Sequence, residues 1–92
     1  MKFKGLPFVS EFLGTLLLIL AVVMSNGNAV FVGLALMVII WFCGPMSGGH
    51  VNPAISLVKF LGGKLSSEDL AGYIAAQVAG AVSALYVVKF FA

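Results

Sequence analysis

The chain has 92 residues, of which 62% are hydrophobic and only 9% are charged. Soluble domains carry roughly 25% charged residues, and a domain this small cannot hide long uncharged segments from water. The composition therefore excludes a soluble enzyme, a nucleic-acid-binding protein and a disordered tail, and it indicates an integral membrane protein.

The first apolar segment predicts a membrane-spanning helix over residues 8–24. It follows a short basic stretch and contains no small-residue cleavage site, so we expect it to stay in the membrane rather than to be removed as a signal peptide. Glu11 lies in its first turn, where a carboxylate is costly in lipid. We expect Glu11 to remain solvated at the interface, to face inward and accept hydrogen bonds, or to stay protonated.

A second span is predicted over residues 29–42, after a polar turn at 25–28. The pattern then breaks at a Gly- and Pro-rich stretch that leads into a short helix ending near residue 61. At two to three turns this helix cannot cross a bilayer. The spacing leaves two interpretations open for 44–61: a re-entrant loop and half-helix, or an ordinary polar loop followed by an interfacial helix.

The third span is predicted over residues 69–91, with Ser66 as the N-cap. Small residues recur along it every four positions and form a stripe that lets helices approach closely in lipid. We expect this stripe to pack against neighbouring helices; it consists of Gly72, Ala76, Gly80 and Ala84.

The N-terminus of the short helix combines several hydrogen-bonding groups. Pro53 suits the first helical position and Asn52 is a good N-cap, so the Asn52 NH₂ group would point away from the helix. The positive end of the helix dipole opposes cations and protons. We expect the preceding residues to be extended, with carbonyl acceptors in a row for a single file of small neutral polar molecules. The predicted pore-lining residues here are Gly48, Gly49, His50, Val51, Asn52, Pro53 and Ala54.

Two polar side chains are predicted to brace this loop. Glu11 and Gln77 both lie within apolar spans and need partners, and the unpaired backbone groups of residues 44–51 need them as well. We therefore expect both side chains to clamp the loop backbone, which is a simpler interpretation than Glu11 as a catalyst.

His50 and Cys43 are each the only residue of their type in the chain. His50 has three open roles, as a pore-facing group, a pH-sensitive element or a hydrogen-bonded strut, of which the strut is the simplest. No second ligand stands at metal-binding spacing, so neither a metal nor another cofactor is predicted. Cys43 cannot form an intrachain disulfide, and we interpret it as a small buried hydrophobe.

Three motifs resemble the aquaporins and aquaglyceroporins, the major intrinsic proteins. The first signature loop of that family is similar to SGGHVNPAIS at residues 47–56, the start of its first helix to EFLGT at 11–15, and its third helix to YIAAQVAGA at 73–81. The three occur in the expected order, one in each expected element. The chain is thus identified as an all-α membrane protein, with three transmembrane helices and one re-entrant half-helix over residues 1–92.

The resemblance implies one repeat of a fold built from two inverted repeats, whose half-helices meet at mid-membrane. It implies that Asn52 donates to permeating water, that Glu11 braces the loop, and that Val32 lies near the narrow filter. The family's second repeat carries an arginine directly after its own Asn-Pro-Ala, but here Ile55 follows and the chain has no arginine. The sequence therefore resembles the N-terminal repeat, and one half-helix cannot enclose the pore.

The predicted function is a passive channel for water and small neutral solutes such as glycerol, with no enzymatic activity. The expected partners are the lipid bilayer, the solute and a second half, either an inverted copy or another chain, in an oligomer; no nucleic acid is expected. Two alternatives are a small proton-coupled exporter that uses Glu11, and a non-conducting remnant. Lysines 2, 4, 59 and 64 lie on one side of the predicted topology and only Lys89 on the other, which favours a cytoplasmic N-terminus.

Overall fold

The computed structural model describes residues 3–92 and contains four helices and, within that range, no strand. They are α1 (Leu6–Met24), α2 (Ala29–Ser47), α3 (Pro53–Leu61) and α4 (Ser67–Phe91). Helices α1, α2 and α4 are long and apolar enough to cross a membrane, and α3 is much shorter. The predicted fold class is confirmed, and the chain is an integral membrane protein. Lys2, one of the lysines whose distribution predicts the membrane orientation, lies outside the described residues.

Helix α1 begins two residues earlier than predicted because Pro7 is accommodated in its first turn, where a backbone N–H has no helical partner. It ends at Met24, and the chain reverses through Asn26 and Gly27, both with positive φ. Asn28 then caps α2 by accepting a hydrogen bond from the Phe31 N–H at 2.9 Å. The polar turn predicted between the first two spans is therefore a reversal that aligns α1 and α2 as antiparallel neighbours.

Helix α2 continues to Ser47, five residues beyond the predicted end at residue 42, and so includes Pro45. A proline inside a helix removes one hydrogen bond at a cost of about 3 kcal/mol. The last turns nevertheless stay helical because Cys43 and Ser47 are buried against α1. The helix ends at Gly48, whose φ of 91° is left-handed and whose N–H donates to the Gly44 carbonyl at 2.8 Å.

The half-helix α3 begins as its sequence predicts. Asn52 adopts extended backbone, and its Oδ1 accepts a hydrogen bond from the Ala54 N–H at 2.8 Å. Pro53 occupies the first turn. At the other end of the connection to α4, Ser66 Oγ accepts from the Asp69 N–H at 3.1 Å and caps that helix.

Helix α1 lies at the centre, between α2 and α4, and α3 packs against α4. The approach of α1 to α4 is closest at Gly80, where a Cβ atom would collide with the Phe12 carbonyl oxygen. Gly72 likewise lies against the Phe8 ring. Gly80 and Ala84 are buried, and Gly72 and Ala76 are partly buried. The small-residue stripe thus faces α1 and brings Gln77 of α4 within reach of Glu11.

Candidate functional site

The segment between α2 and α3 is a tight path rather than the extended chain that the sequence suggested. Gly48, Gly49 and Val51 have φ values of 91°, 64° and 45°. Glycine adopts such values freely, but a β-branched residue does so only where its surroundings hold it. The expectation of an extended segment is therefore wrong, because successive N–H groups turn inward to a common acceptor.

That acceptor is the carboxylate of Glu11, which is fully buried and accepts four hydrogen bonds. The His50 N–H donates to Oε2 at 3.0 Å and the Val51 N–H to Oε1 at 2.7 Å. The Ser47 hydroxyl donates to Oε2 at 2.6 Å, and the Gln77 Nε2 to Oε1 at 2.8 Å. Two consecutive N–H groups on one carboxylate form a backbone nest for an anion. Glu11 therefore lies at the junction of α1, α2, the loop and α4.

Helix α2 is tied to this junction through Ser47. Because its single hydroxyl proton donates to Glu11, Ser47 must accept the hydrogen bond that joins it to the Ser10 hydroxyl at 2.9 Å. The Tyr73 hydroxyl donates to the Ser47 carbonyl at 2.7 Å, satisfying one of the carbonyls that a helix end leaves free. The end of α2 is thus fixed from both α1 and α4.

Gln77 bonds to side chains rather than to the loop backbone, which corrects the expectation for its partners. Its Nε2 donates to Glu11 and also, at 2.9 Å, to the Ser56 hydroxyl on α3. The loop N–H groups are already occupied by Glu11, so the amide reaches past them to the half-helix. Ser56 in turn bonds to His50 Nδ1 at 2.8 Å.

The backbone of residues 48–51 is satisfied on one side only. Every N–H has an acceptor: the Gly44 carbonyl, the Ser47 hydroxyl, and the two Glu11 oxygens. None of the four carbonyl oxygens accepts a hydrogen bond from any residue in the range 3–92. Beyond them, Asn52 is exposed, with Oδ1 held by Ala54 and no partner for its Nδ2 among these residues. The loop therefore offers four free acceptors followed by one amide donor.

The other predicted site residues divide by position. Pro53 and Ala54 are exposed with Asn52 at the half-helix tip, whereas the side chains of His50 and Val51 are buried. Val32 is partly buried in the first turn of α2. Ser47 ends the same helix 15 residues further on, so Val32 lies about 22 Å along the helix axis from the start of the loop. Within the described chain, no group of three potential ligands could hold a metal ion.

Sequence reasoning missed four residues of the network: Ser10, Ser47, Ser56 and Tyr73. Of the four, Ser56 is the one that the sequence could have indicated. It follows the N-cap Asn52 by four residues, about one turn of an amphipathic half-helix, so the side of the helix on which it lies can be predicted. A serine one residue before Glu11 gives no such signal. Its contact is with residue 47, and only the packing of α1 against α2 brings the two together.

Comparison with known proteins confirms the resemblance carried by the three motifs. The profile of the major intrinsic protein family matches residues 3–92. Aquaglyceroporin AqpS of Rhizobium meliloti is 42% identical over an alignment of 90 residues, which covers 82% of this chain and 39% of that protein. The glycerol uptake facilitator protein-like 6 of Lactiplantibacillus plantarum is 36% identical over an alignment of 92 residues, which covers 91% of this chain and 43% of that protein.

A third relative, Aquaporin Z of Brucella melitensis, is 43% identical over 65 residues, which cover 67% of this chain and 28% of that protein. The chain therefore spans about two fifths of the length of the first two relatives, and less of the third. No solved structure matches it significantly.

Proposed function

Because the chain belongs to the major intrinsic protein family, whose members are channels rather than enzymes, we propose that it contributes one half of a passive transmembrane pore. The permeating molecules are water and small neutral solutes such as glycerol. Relatives named for water and for glycerol support this choice of solutes.

The observation that carries the proposal is the one-sided backbone of residues 48–51. Carbonyl groups at membrane depth must be satisfied, and irregular backbone is tolerated there only inside protein or along a watery cavity. These four carbonyls have no protein partner within the described chain, so water is the partner that fits them. The N–H groups of this segment are all hydrogen-bonded, so only its carbonyl oxygens remain as acceptors. A row of such oxygens would bind the O–H groups of neutral molecules one after another, in single file.

The half-helix tip sets the expected selectivity. The free Asn52 amide and the positive end of the α3 dipole converge at the end of the carbonyl row. A water or glycerol oxygen accepts hydrogen bonds from such a point, whereas a cation is repelled by it. The proposed path therefore favours neutral solutes over protons and metal ions.

The pore needs a second half, which we propose to be an inverted copy or another chain. The tip residues and the apolar face of α3, including Ile55, Leu57 and Val58, are exposed in this chain. A half-helix that ends in the membrane with an open tip calls for a matching element across it.

A proton-coupled exporter that uses Glu11 is the less favoured function. A coupling acid must exchange protons with water, but Glu11 has no exposed surface and its two oxygens already accept four hydrogen bonds. Its geometry supports a structural anchor instead.

The test is osmotic water flux in proteoliposomes, measured by stopped-flow light scattering. Asn52→Asp should reduce flux to the level of protein-free vesicles, because it replaces the donor amide with a charge at the pore centre. Asn28→Asp is the matched control: it makes the same chemical change in an exposed turn, where aspartate caps equally well. Full flux through Asn52→Asp, or flux that requires a proton gradient, would contradict the proposal; no flux in the unsubstituted protein would support the remnant.

A further inference from the structure

The His50 ring is held by two residues, Ser56 and Tyr73. Its Nδ1 lies 2.8 Å from Ser56 Oγ, and the ring lies 4.9 Å from the Tyr73 ring between centroids, with the two planes tilted by 45°. Ser56 itself is fully buried and also contacts Gln77. The number of protons on these groups fixes the direction of each hydrogen bond among them.

The amide orientation of Gln77 is fixed by its two partners. Its Nε2 lies 2.8 Å from Glu11 Oε1 and 2.9 Å from Ser56 Oγ. Turning the amide over would place an acceptor oxygen against the acceptor carboxylate, so the NH₂ group must face both partners. Ser56 Oγ therefore accepts a hydrogen bond from Gln77.

The Ser56 hydroxyl still has its own proton to donate. Among the hydrogen bonds of residues 3–92, His50 Nδ1 is the one remaining group that could accept it. An imidazole nitrogen that accepts a hydrogen bond carries no proton, and in the neutral ring the proton then sits on the other nitrogen. The network thus selects the His50 tautomer with hydrogen on Nε2.

The Nε2 atom lies close to Gly48, the first residue of the loop. It makes no hydrogen bond within the described chain, yet it is not one of the buried polar atoms there that lack a partner, which are Thr15 Oγ1 and Gln77 Oε1. It therefore reaches accessible surface. Its neighbour is the exposed Gly48, where an added Cβ atom would lie 3.1 Å from Nε2.

We infer that His50 offers an Nε2–H donor to a water or solute oxygen beside Gly48, and that Ser56 is the positioning residue that fixes this tautomer. The site then has a second donor, at the opposite end of the free carbonyls from the Asn52 amide. The tautomer stands independently of conduction, whereas its use by a permeating molecule rests on the proposed function.

The tautomer can be tested by ¹⁵N NMR of the full chain in lipid bilayers at neutral pH. His50 is the only histidine, so labelling with [¹⁵N]histidine reports on this ring alone. We expect one signal from a protonated Nε2 and one from an unprotonated, hydrogen-bonded Nδ1. A proton on Nδ1, or on both nitrogens, would overturn the inference.

Three variants separate positioning from general stability. Ser56→Ala removes the donor and should replace the single tautomer by a mixture, whereas Ser56→Thr keeps the hydroxyl and should keep the single tautomer. Ser67→Ala removes an exposed hydroxyl at the start of α4 and should leave the signals unchanged. Helical circular dichroism confirms that each variant folds; an unchanged spectrum in folded Ser56→Ala would show that Ser56 does not set the tautomer.

The donor role has its own measurement. Magnetisation transfer from water to the Nε2–H proton should appear in the unsubstituted protein. Absence of this transfer in a protein that conducts water would overturn the donor role alone. A protein that shows the tautomer and the transfer but no flux would instead contradict the proposed channel.

Discussion

Val51 combines a buried β-branched side chain with a left-handed backbone, at φ 45°. Such a conformation costs of order 1–3 kcal/mol and persists only where the surroundings determine it. Two contacts do so here: the N–H donates to Glu11 at 2.7 Å, and the side chain packs with Ile39 and Cys43 over Gly14. This backbone conformation directs the N–H groups of His50 and Val51 towards Glu11, and the carbonyl oxygens of the loop are left without a partner in the described chain.

This strain predicts an unusual order of stability among Val51 variants. Val51→Ala and Val51→Gly both lose the side-chain packing, but only glycine relieves the backbone, so Val51→Gly should be the more stable of the two by about 1 kcal/mol. The measurement is the free energy of unfolding in detergent micelles. Val58 is the control: it is exposed on helical α3, where glycine should be about 1 kcal/mol less stable than alanine. Alanine as the better residue at both positions would disprove the strain.

At the scale of elements, the approach of α1 to α4 depends on Gly80. Its Cα faces the backbone of Phe12 and Leu16, and neither can move without shifting the whole helix. One residue type at one position therefore decides how near Gln77 comes to Glu11.

Gly80→Ala should accordingly destabilise the chain by about 1–3 kcal/mol, the usual range for overpacking, and should weaken protection of the His50 and Val51 amides against hydrogen exchange. Gly33→Ala is the matched control, because nothing lies within 4 Å of a Cβ atom at that position of α2. It should be neutral or stabilising. Equal exchange protection in the two variants would count against a link between helix spacing and the loop.

The elements were more predictable than their contacts. Apolar runs gave the three spans, and Asn52 with Pro53 gave the start of α3, because local chemistry decides both. The end of α2 was predicted too early because burial of Cys43 and Ser47 outweighs the local effect of Pro45. The contacts of Ser10 and Ser47 with each other and with Glu11 could not be predicted, since they join residues 36 or more positions apart along the chain.

For the molecule as a whole, the distribution of charged residues, rather than the packing of the helices, predicts the orientation in the membrane. The structure measures 39 Å along its longest axis, enough to cross a bilayer core of about 30 Å. Lys4, Lys59 and Lys64, with Lys2 outside the described residues, lie on the side of the α2–α3 and α3–α4 connections, whereas Lys89 lies at the far end of α4. The positive-inside rule favours a cytoplasmic N-terminus.

Labelling with a membrane-impermeant maleimide tests this orientation in a Cys43→Ser background. Ala92→Cys, at the far end of α4, should react in intact cells, and Ser67→Cys, at the other end of that helix, should react only after permeabilisation. Reaction of both positions in intact cells would indicate copies in two orientations. A single orientation in a conducting homo-oligomer would exclude the inverted copy and leave a different chain as the second half.

The separation of Glu11 from its donors also has a consequence for how the protein is made. Ser47 follows Glu11 by 36 residues and Gln77 by 66. At a synthesis rate of about 5–20 residues per second, the last donor leaves the ribosome about 3–13 s after the carboxylate. During that interval a lone carboxylate in lipid is costly, so we expect nascent α1 to hold Glu11 in a shallow or protein-lined position. We therefore expect the loop of residues 48–51 to reach its final structure only after the last helix has been inserted.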